Sequence, residues 1–206
     1  MAKTAAQSKP RIRKRPEIRR REIMDAAVDV FSRKGSSEAT IEDVTRRAGA
    51  SKATFYLYFD SKEELLGELR KRFVDEMMST AATMFERVGQ GDWWSLVDAT
   101  VETFVDMMLA NRKTIKALLR DSPSPLTNDV FAECQRKVTG MFTVGIQAGI
   151  QAGAFDTSDP AMAASFLHYA IDGAVTEEIL YGKPDRERLV RAAKELSRKT
   201  LAPKKR

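Results

Sequence analysis

The 206-residue sequence predicts an all-α protein of about nine helices. Three observations carry that reading. Apolar residues recur at spacings of three and four along most of the chain, which is the period of one helix face. Hydroxyl or carboxylate residues stand where helices would start, and Gly or Pro stands where they would stop or open. No segment alternates polar and apolar residues with the period of two that a half-buried strand requires.

Residues 1–16 (MAKTAAQSKPRIRKRP) are polar, basic and broken by Pro10 and Pro16, and they read as a disordered arm. A helix begins at Glu17, with Ile23, Ala26, Ala27, Val30 and Phe31 on one face. Gly35 ends it, behind Arg33 and Lys34, whose charges suit a helix C-terminus. Two short helices follow. Thr40 precedes Ile41-Glu42-Asp43-Val44, a hydroxyl cap with a carboxylate three residues later, and the helix runs to Ala48. After the turn Gly49-Ala50-Ser51, Ser51 caps a helix from Lys52 to Tyr58. Ser61-Lys62-Glu63-Glu64 is a capping box. It opens a long helix through Leu65, Leu66, Leu69, Phe73 and Met77 to about Arg87.

The remainder reads as five more helices. Gly89-Gln90-Gly91 is a loop. Trp93 to Ala110 is helical, with Trp94, Val97, Val101, Phe104 and Met108 on one face and an acidic row, Asp98, Glu102 and Asp106, on another. Lys113 to Arg120 stops at Ser122-Pro123-Ser124-Pro125. Asn128 to about Gln151 carries Phe131, Cys134, Val138, Phe142 and Gly145 in register. Asp159 caps a helix that has Pro160 at its first position and runs to Tyr181. Pro184 to Thr200 forms the last. The repeat GIQAGIQAG aligns Gly145, Gly149 and Gly153 on one stripe, read as close helix packing or a fraying helix end.

Composition excludes several classes. Hydrophobic residues at 43% and charged residues at 31% fit a globular chain with a core. No apolar run approaches the ~18 residues of a membrane span, and the basic first twenty residues lack the apolar segment of a secretory signal. The expected setting is cytoplasmic. One cysteine and one histidine leave no disulfide framework, no cysteine-rich zinc site and little room for a His-centred triad. No P-loop, zinc-protease helix, dinucleotide glycine pattern or nucleophile–base pair is recognisable, so neither an enzyme nor a cofactor is expected.

Charge is distributed unevenly. Residues 1–60 hold 14 Lys+Arg against 8 Asp+Glu, while residues 61–206 hold 21 of each. The surplus therefore faces a polyanion or belongs to a solvated tail. Net charge alone does not decide between these readings, but residues 41–58 add an independent signal, a helix-turn-helix layout. At ~100° per residue Phe55 and Phe59 lie on one side and seal a core. Ala53 and Leu57 point away from it, Thr54 and Tyr56 flank them, and Lys52 stands at the N-terminal end. Small and apolar groups can meet thymine methyls, while hydroxyls and a Lys reach base edges or phosphates. Five apolar or aromatic residues in a row, Phe55 to Phe59, cannot all face one core.

The stretch Arg20 to Phe73, above all ATIEDVTRRAGASKATFYLYFDSKEELL (Ala39 to Leu66), resembles the DNA-binding domain of TetR-family transcriptional regulators. Ala53 stands where the family often has glycine. The resemblance implies a homodimer, commonly a bacterial repressor, with an N-terminal DNA-reading domain (residues 17–60) and a helical regulatory and dimerisation domain (residues 61–206). By motif position it places Thr40, Tyr56, Tyr58 and Lys62 at phosphates and Lys52 and Thr54 nearer bases, beside Ser51. The partner is then a near-palindromic double-stranded operator. Arg11, Arg13, Lys14 and Arg15 of the arm are candidates for further backbone or minor-groove contacts.

The body is expected to supply a partner surface and a pocket for an unknown small molecule. Helix 159–181 is apolar on two sides, Phe166, Tyr169, Ala170, Gly173 and Ala174 against Leu167, Ile171 and Val175, so it needs two partners. One is the core and the other a twin subunit, with Leu189, Val190, Ala193 and Leu196 of the last helix completing a four-helix interface. Met84, Trp93, Trp94, Phe104, Met107, Met108, Phe131, Phe142 and Phe166 are candidate pocket residues. His168 reads as a packing histidine and Cys134 as an inert core thiol. The alternative function is an architectural or weakly sequence-specific DNA-binding protein without an inducer.

Overall fold

In the computed structural model, residues 15–85, 92–120 and 129–202 are described. They form nine helices in chain order: α1 (Pro16–Lys34), α2 (Ile41–Ala48), α3 (Lys52–Tyr56), α4 (Lys62–Phe85), α5 (Trp93–Ala110), α6 (Arg112–Leu119), α7 (Asp129–Gln151), α8 (Pro160–Tyr181) and α9 (Arg186–Leu201). The expected arm falls almost wholly outside the described residues; only Arg15 and Pro16 belong to them, and Pro16 opens α1 instead of closing the arm. A missing N–H costs nothing at a first helical position.

Local chemistry sets the boundaries. Thr40 and Asp43 form a reciprocal capping box, Asp43 N to Thr40 Oγ1 and Thr40 N to Asp43 Oδ2, both 3.2 Å. Ser61 Oγ accepts from Glu64 N at 3.0 Å, but the Glu64 carboxylate reaches back one residue further than expected and takes Asp60 N at 2.5 Å. Asp92, Asp159 and Asp185 cap α5, α8 and α9 through the N–H groups of Ser95, Met162 and Arg188. α9 therefore starts after Asp185, not at Pro184. Two left-handed glycines close helices with the paired bonds of a Schellman motif: Gly49 ends α2 and Gly153 ends α7.

α1 packs chiefly on α6 and α2, α7 on α8 and α4, and α9 on α5 and α8. A single core runs from Phe31, Val44 and Phe55 through Leu65, Leu69, Val105 and Ile115 to Val175 and Leu189. The N-terminal helices thus share buried side chains with the body. A second cluster, Ile146, Phe155, Ala163, Ala164, Leu167 and Leu201, closes the far end. Each fully buried large side chain contributes ~1.5–3 kcal/mol of hydrophobic stabilisation.

Charges bind the layers together. The acidic row of α5 pairs with α9: Asp98 takes Arg198 through two bonds of 2.7 and 2.9 Å, Glu102 takes Lys194, and Asp106 takes Arg186 at 2.5 and 2.8 Å. Asp29 of α1 holds Arg47 of α2 and Lys113 of α6 at once, and Arg120 donates to the Arg33 carbonyl. The Lys113 ammonium, followed by the Arg47 guanidinium, holds the Asp29 carboxyl below its ordinary pKa.

Candidate nucleic-acid interface

The surface begins with two anchors. Phe55 and Phe59 are buried to 0% and 1% exposure, their rings 5.6 Å apart, and the Arg20 guanidinium lies 5.0 Å from the Phe59 ring centre. With those side chains fixed inward, α3 must turn its other side outward. Tyr56 is 52% exposed and Leu57 79%, and Lys52 and Ala53 are exposed beside them. α3 ends at Tyr56, two residues earlier than expected. Tyr58 N already bonds Phe55 O at 2.9 Å, so the chain tightens into a turn that leaves Tyr58 half-buried.

The turn between α2 and α3 is fixed by Gly49, at φ 60°, with Ala50 N bonded to Thr45 O at 2.9 Å. An L side chain strains that backbone, which is why glycine stands there. Ser51 caps α3 through Thr54 N at 3.1 Å, and its hydroxyl lies 2.8 Å from Thr54 Oγ1. Thr54 is therefore half-buried and tied to the cap, while Lys52 forms an exposed ion pair with Glu42. Thr40 is exposed at the head of α2, where Lys34 and the Thr40 N–H hold the Asp43 carboxyl at a pKa of about 2.

Lys62 is placed differently from its expected role at a phosphate. Its ammonium donates to the carbonyls of Ser36, Ser37 and Ala39 at 2.8, 3.3 and 3.1 Å. This clamps the α1–α2 loop to the start of α4. Nothing in the sequence marks this role, because a Lys after a helix cap looks the same whether it faces solvent or carbonyls 23 to 26 residues away.

In the body, a cavity of about 130 Å³ lies among α5, α7, α8 and α9. Of the expected pocket residues, Trp93, Phe104 and Phe142 line it. Trp94 instead packs against Phe155 at 5.1 Å, beneath Arg198, and Met108 is solid core. The described side chains do not include those of Met84 and Phe131. Phe166 is 64% exposed and cannot line the cavity, because its place on α8 turns it outward. His168, read as simple packing, lines the cavity and contacts Gln135 through Nε2. Burial lowers its pKa to about 4 and lifts that of neighbouring Asp172 to about 6. A His and an Asp four residues apart on one helix were a readable hint.

The outward side of α8 presents Met162, Phe166, Tyr169, Ala170, Gly173, Ala174 and Tyr181. On α9 the expectation needs correcting. Leu189 and Ala193 are buried within the chain at 8% and 6%, since that face packs inward on the core, and Ala192 and Leu196 form the outward line.

Comparison with known proteins fits this geometry. Residues 23–69 match the family described as bacterial regulatory proteins, tetR family. An uncharacterised HTH-type transcriptional regulator of Bacillus subtilis, YvdT, is 33% identical over 84 residues, 40% of this chain and 42% of that protein. The HTH-type transcriptional repressor KstR2 of Rhodococcus jostii is 25% identical over 154 residues, 72% of this chain and 74% of the repressor. The fold is shared with the crystal structure of FadR from Bacillus subtilis in complex with stearoyl-CoA, at a TM-score of 0.70 and 19% identity over 88% of this chain and 97% of that one. A helix-turn-helix with an outward second helix agrees with the match of residues 23–69 to the tetR family of bacterial regulatory proteins, and the all-helical body shares the fold of the FadR structure.

Proposed function

We propose that the chain is a homodimeric, sequence-specific DNA-binding repressor, released from a near-palindromic operator by a small molecule held in the body cavity. The observation that carries the reading is the contrast on α3: Phe55 is fully buried while the adjoining Tyr56 and Leu57 stand 52% and 79% exposed. An exposed Leu beside a Tyr, an Ala and a Lys at the head of a short helix suits a major groove, where methyls and acceptors alternate. In this reading Lys52, Ala53, Thr54 and Leu57 face bases, and Thr40, Ser51, Tyr56 and Tyr58 face the backbone. Lys52 exchanges its exposed ion pair with Glu42 for a contact on DNA.

The apolar outer side of α8, with Leu196 of α9, supports a two-fold partner, whose symmetry a palindrome would mirror. The cavity supports a ligand, as does the stearoyl-CoA complex of FadR among similar structures, and the repressor KstR2 among the relatives supports the sign of regulation. No helix among the described residues is long and apolar enough to cross a membrane, consistent with action at DNA in the cytoplasm.

Selection from a random-sequence duplex pool should recover a near-palindrome. The double variant Lys52→Ala/Tyr56→Ala should bind it at least ~10-fold more weakly, at ~1–3 kcal/mol per lost specific contact, with an unchanged melting temperature because both side chains are exposed. Unchanged affinity would refute the interface. Equal competition by random duplex would instead favour sequence-independent binding.

A further inference from the structure

The cavity has a mostly apolar wall, in which Thr100, Ser197 and His168 are the described residues with a hydroxyl or an imidazole. None of its described lining residues is charged, and Val97, Phe104, Phe142, Ile146 and Leu167 are typical of its wall. Ser197 spends its hydroxyl proton on the Ala193 carbonyl at 2.8 Å. His168, 2% exposed, is set between Phe104 and Phe142, with ring centres 6.0 and 5.9 Å away. Its Nδ1 is buried without a hydrogen-bond partner among the described residues. An orphaned ring nitrogen is costly in an apolar wall, and such atoms normally serve a purpose.

The proton inventory of the neighbours fixes what Nδ1 can do. A carboxylate only accepts, so Asp172 Oδ2 orients the Gln135 amide with Nε2 toward it, at 3.5 Å. The other end of that amide, the carbonyl Oε1, faces His168 Nε2. A carbonyl also only accepts, so Nε2 must carry the imidazole proton. Burial keeps the ring neutral, which leaves Nδ1 a bare acceptor. The relay Asp172–Gln135–His168 therefore leaves one unshared lone pair on a side chain that lines the cavity of about 130 Å³, whose other described hydroxyl-bearing lining residues are Thr100 and Ser197.

We infer that the cavity takes an uncharged, ring-sized apolar compound whose single hydroxyl or N–H donates to Nδ1 of His168. The inference rests on the ligand-responsive reading above and names its ligand class. A void of this size accepts an aromatic molecule of one or two rings. Its described lining residues offer no cation for a carboxylate, a phosphate or a thioester-linked nucleotide.

Indole and benzofuran test it: they have nearly the same shape, but only indole carries a donor. Titration calorimetry of the full chain without DNA, at pH 8 where Asp172 is ionised, should give about tenfold tighter binding of indole, from a bond made in one case and a buried acceptor left bare in the other. His168→Phe should erase the preference. His168 is the sole histidine, so one imidazole Nδ1 resonance in ¹⁵N NMR should move with indole and stay with benzofuran in the unmodified protein, whatever the variant's folding. Equal affinities, a preference that survives His168→Phe, failure of both probes to bind, or an unmoved resonance would each overturn the assignment. Indole that binds as described yet leaves DNA affinity unchanged supports it while removing the release mechanism.

Discussion

The three glycines of GIQAGIQAG look equivalent in the sequence, but the same substitution should act on them in different directions. A Cβ added at Gly145 meets nothing within 4 Å, so Gly145→Ala gains helix propensity of about 1 kcal/mol. At Gly149 the new Cβ would lie 2.2 and 2.3 Å from Cε2 and Cδ2 of Phe155. That ring cannot step aside, because it is 3% exposed and set against Trp93 and Trp94 at 5.8 and 5.1 Å. Overpacking costs about 1–3 kcal/mol, which outweighs the propensity gain. At Gly153 space is open but φ is +75°, and a left-handed L residue costs about 1–2 kcal/mol. For a chain of this size 1 kcal/mol moves the melting temperature by about 2–4 °C. Scanning calorimetry should therefore show Gly145→Ala melting a few degrees above the parent and the other two a few degrees below it. If Gly145→Ala melts no higher than Gly149→Ala, the packing argument at the end of α7 is wrong.

Three further outcomes are expected. Lys62→Met should lower the melting temperature as well as DNA affinity, at about 1.5–3 kcal/mol for lost bonds from a charged donor; an unchanged melting temperature would return Lys62 to a purely DNA-facing role. Phe166→Glu should convert a dimer into a folded monomer by light scattering, and a persistent dimer would place the partner surface elsewhere. The third concerns pH. The His168 pKa falls from 6.5 to about 4 on folding, so its neutral burial stabilises fully above pH 6.5 and that contribution is lost as pH falls toward 4. Asp172 rises from 3.8 to about 6, so its buried charge destabilises above pH 6 and is relieved as pH falls toward 3.8. The two oppose each other between pH 4 and 6. Asp172→Asn should therefore lose stability on acidification through that window faster than the parent, by up to about 1.4 kcal/mol per pH unit. Urea midpoints at pH 6 and 4.5 that fall in parallel for both proteins would contradict this.

Local signals were legible and distant ones were not. Capping residues such as Thr40, Ser51 and Asp159 act on N–H groups two or three residues away, so reading them placed most helix starts within two residues. The inward set of α3 was legible because Phe55 and Phe59 sit one turn apart. On α8 the two apolar faces were visible, but the sequence could not show which residues of α9 meet the core; Leu189 and Ala193 turned out to lie inside. Pocket and core select the same apolar residues, so Met108 and Phe104 looked alike although only Phe104 lines the cavity. The acidic row on α5 was legible, but its partners lie 80 to 100 residues further on. His168 and Gln135 are separated by 33 residues, beyond any helical period.

Asp29 has two carboxylate oxygens, and each is taken by a different helix: Lys113 of α6 on Oδ1 and Arg47 of α2 on Oδ2. α6 comes from the half of the molecule that contains the cavity, and α2 from the half proposed to meet DNA. A slide of α6 along α1 cannot keep both bonds, so the shared anion works as a two-pan balance. Weight taken from one side is felt at the other, so this one side chain adds a polar counterweight to the buried core that the two halves already share.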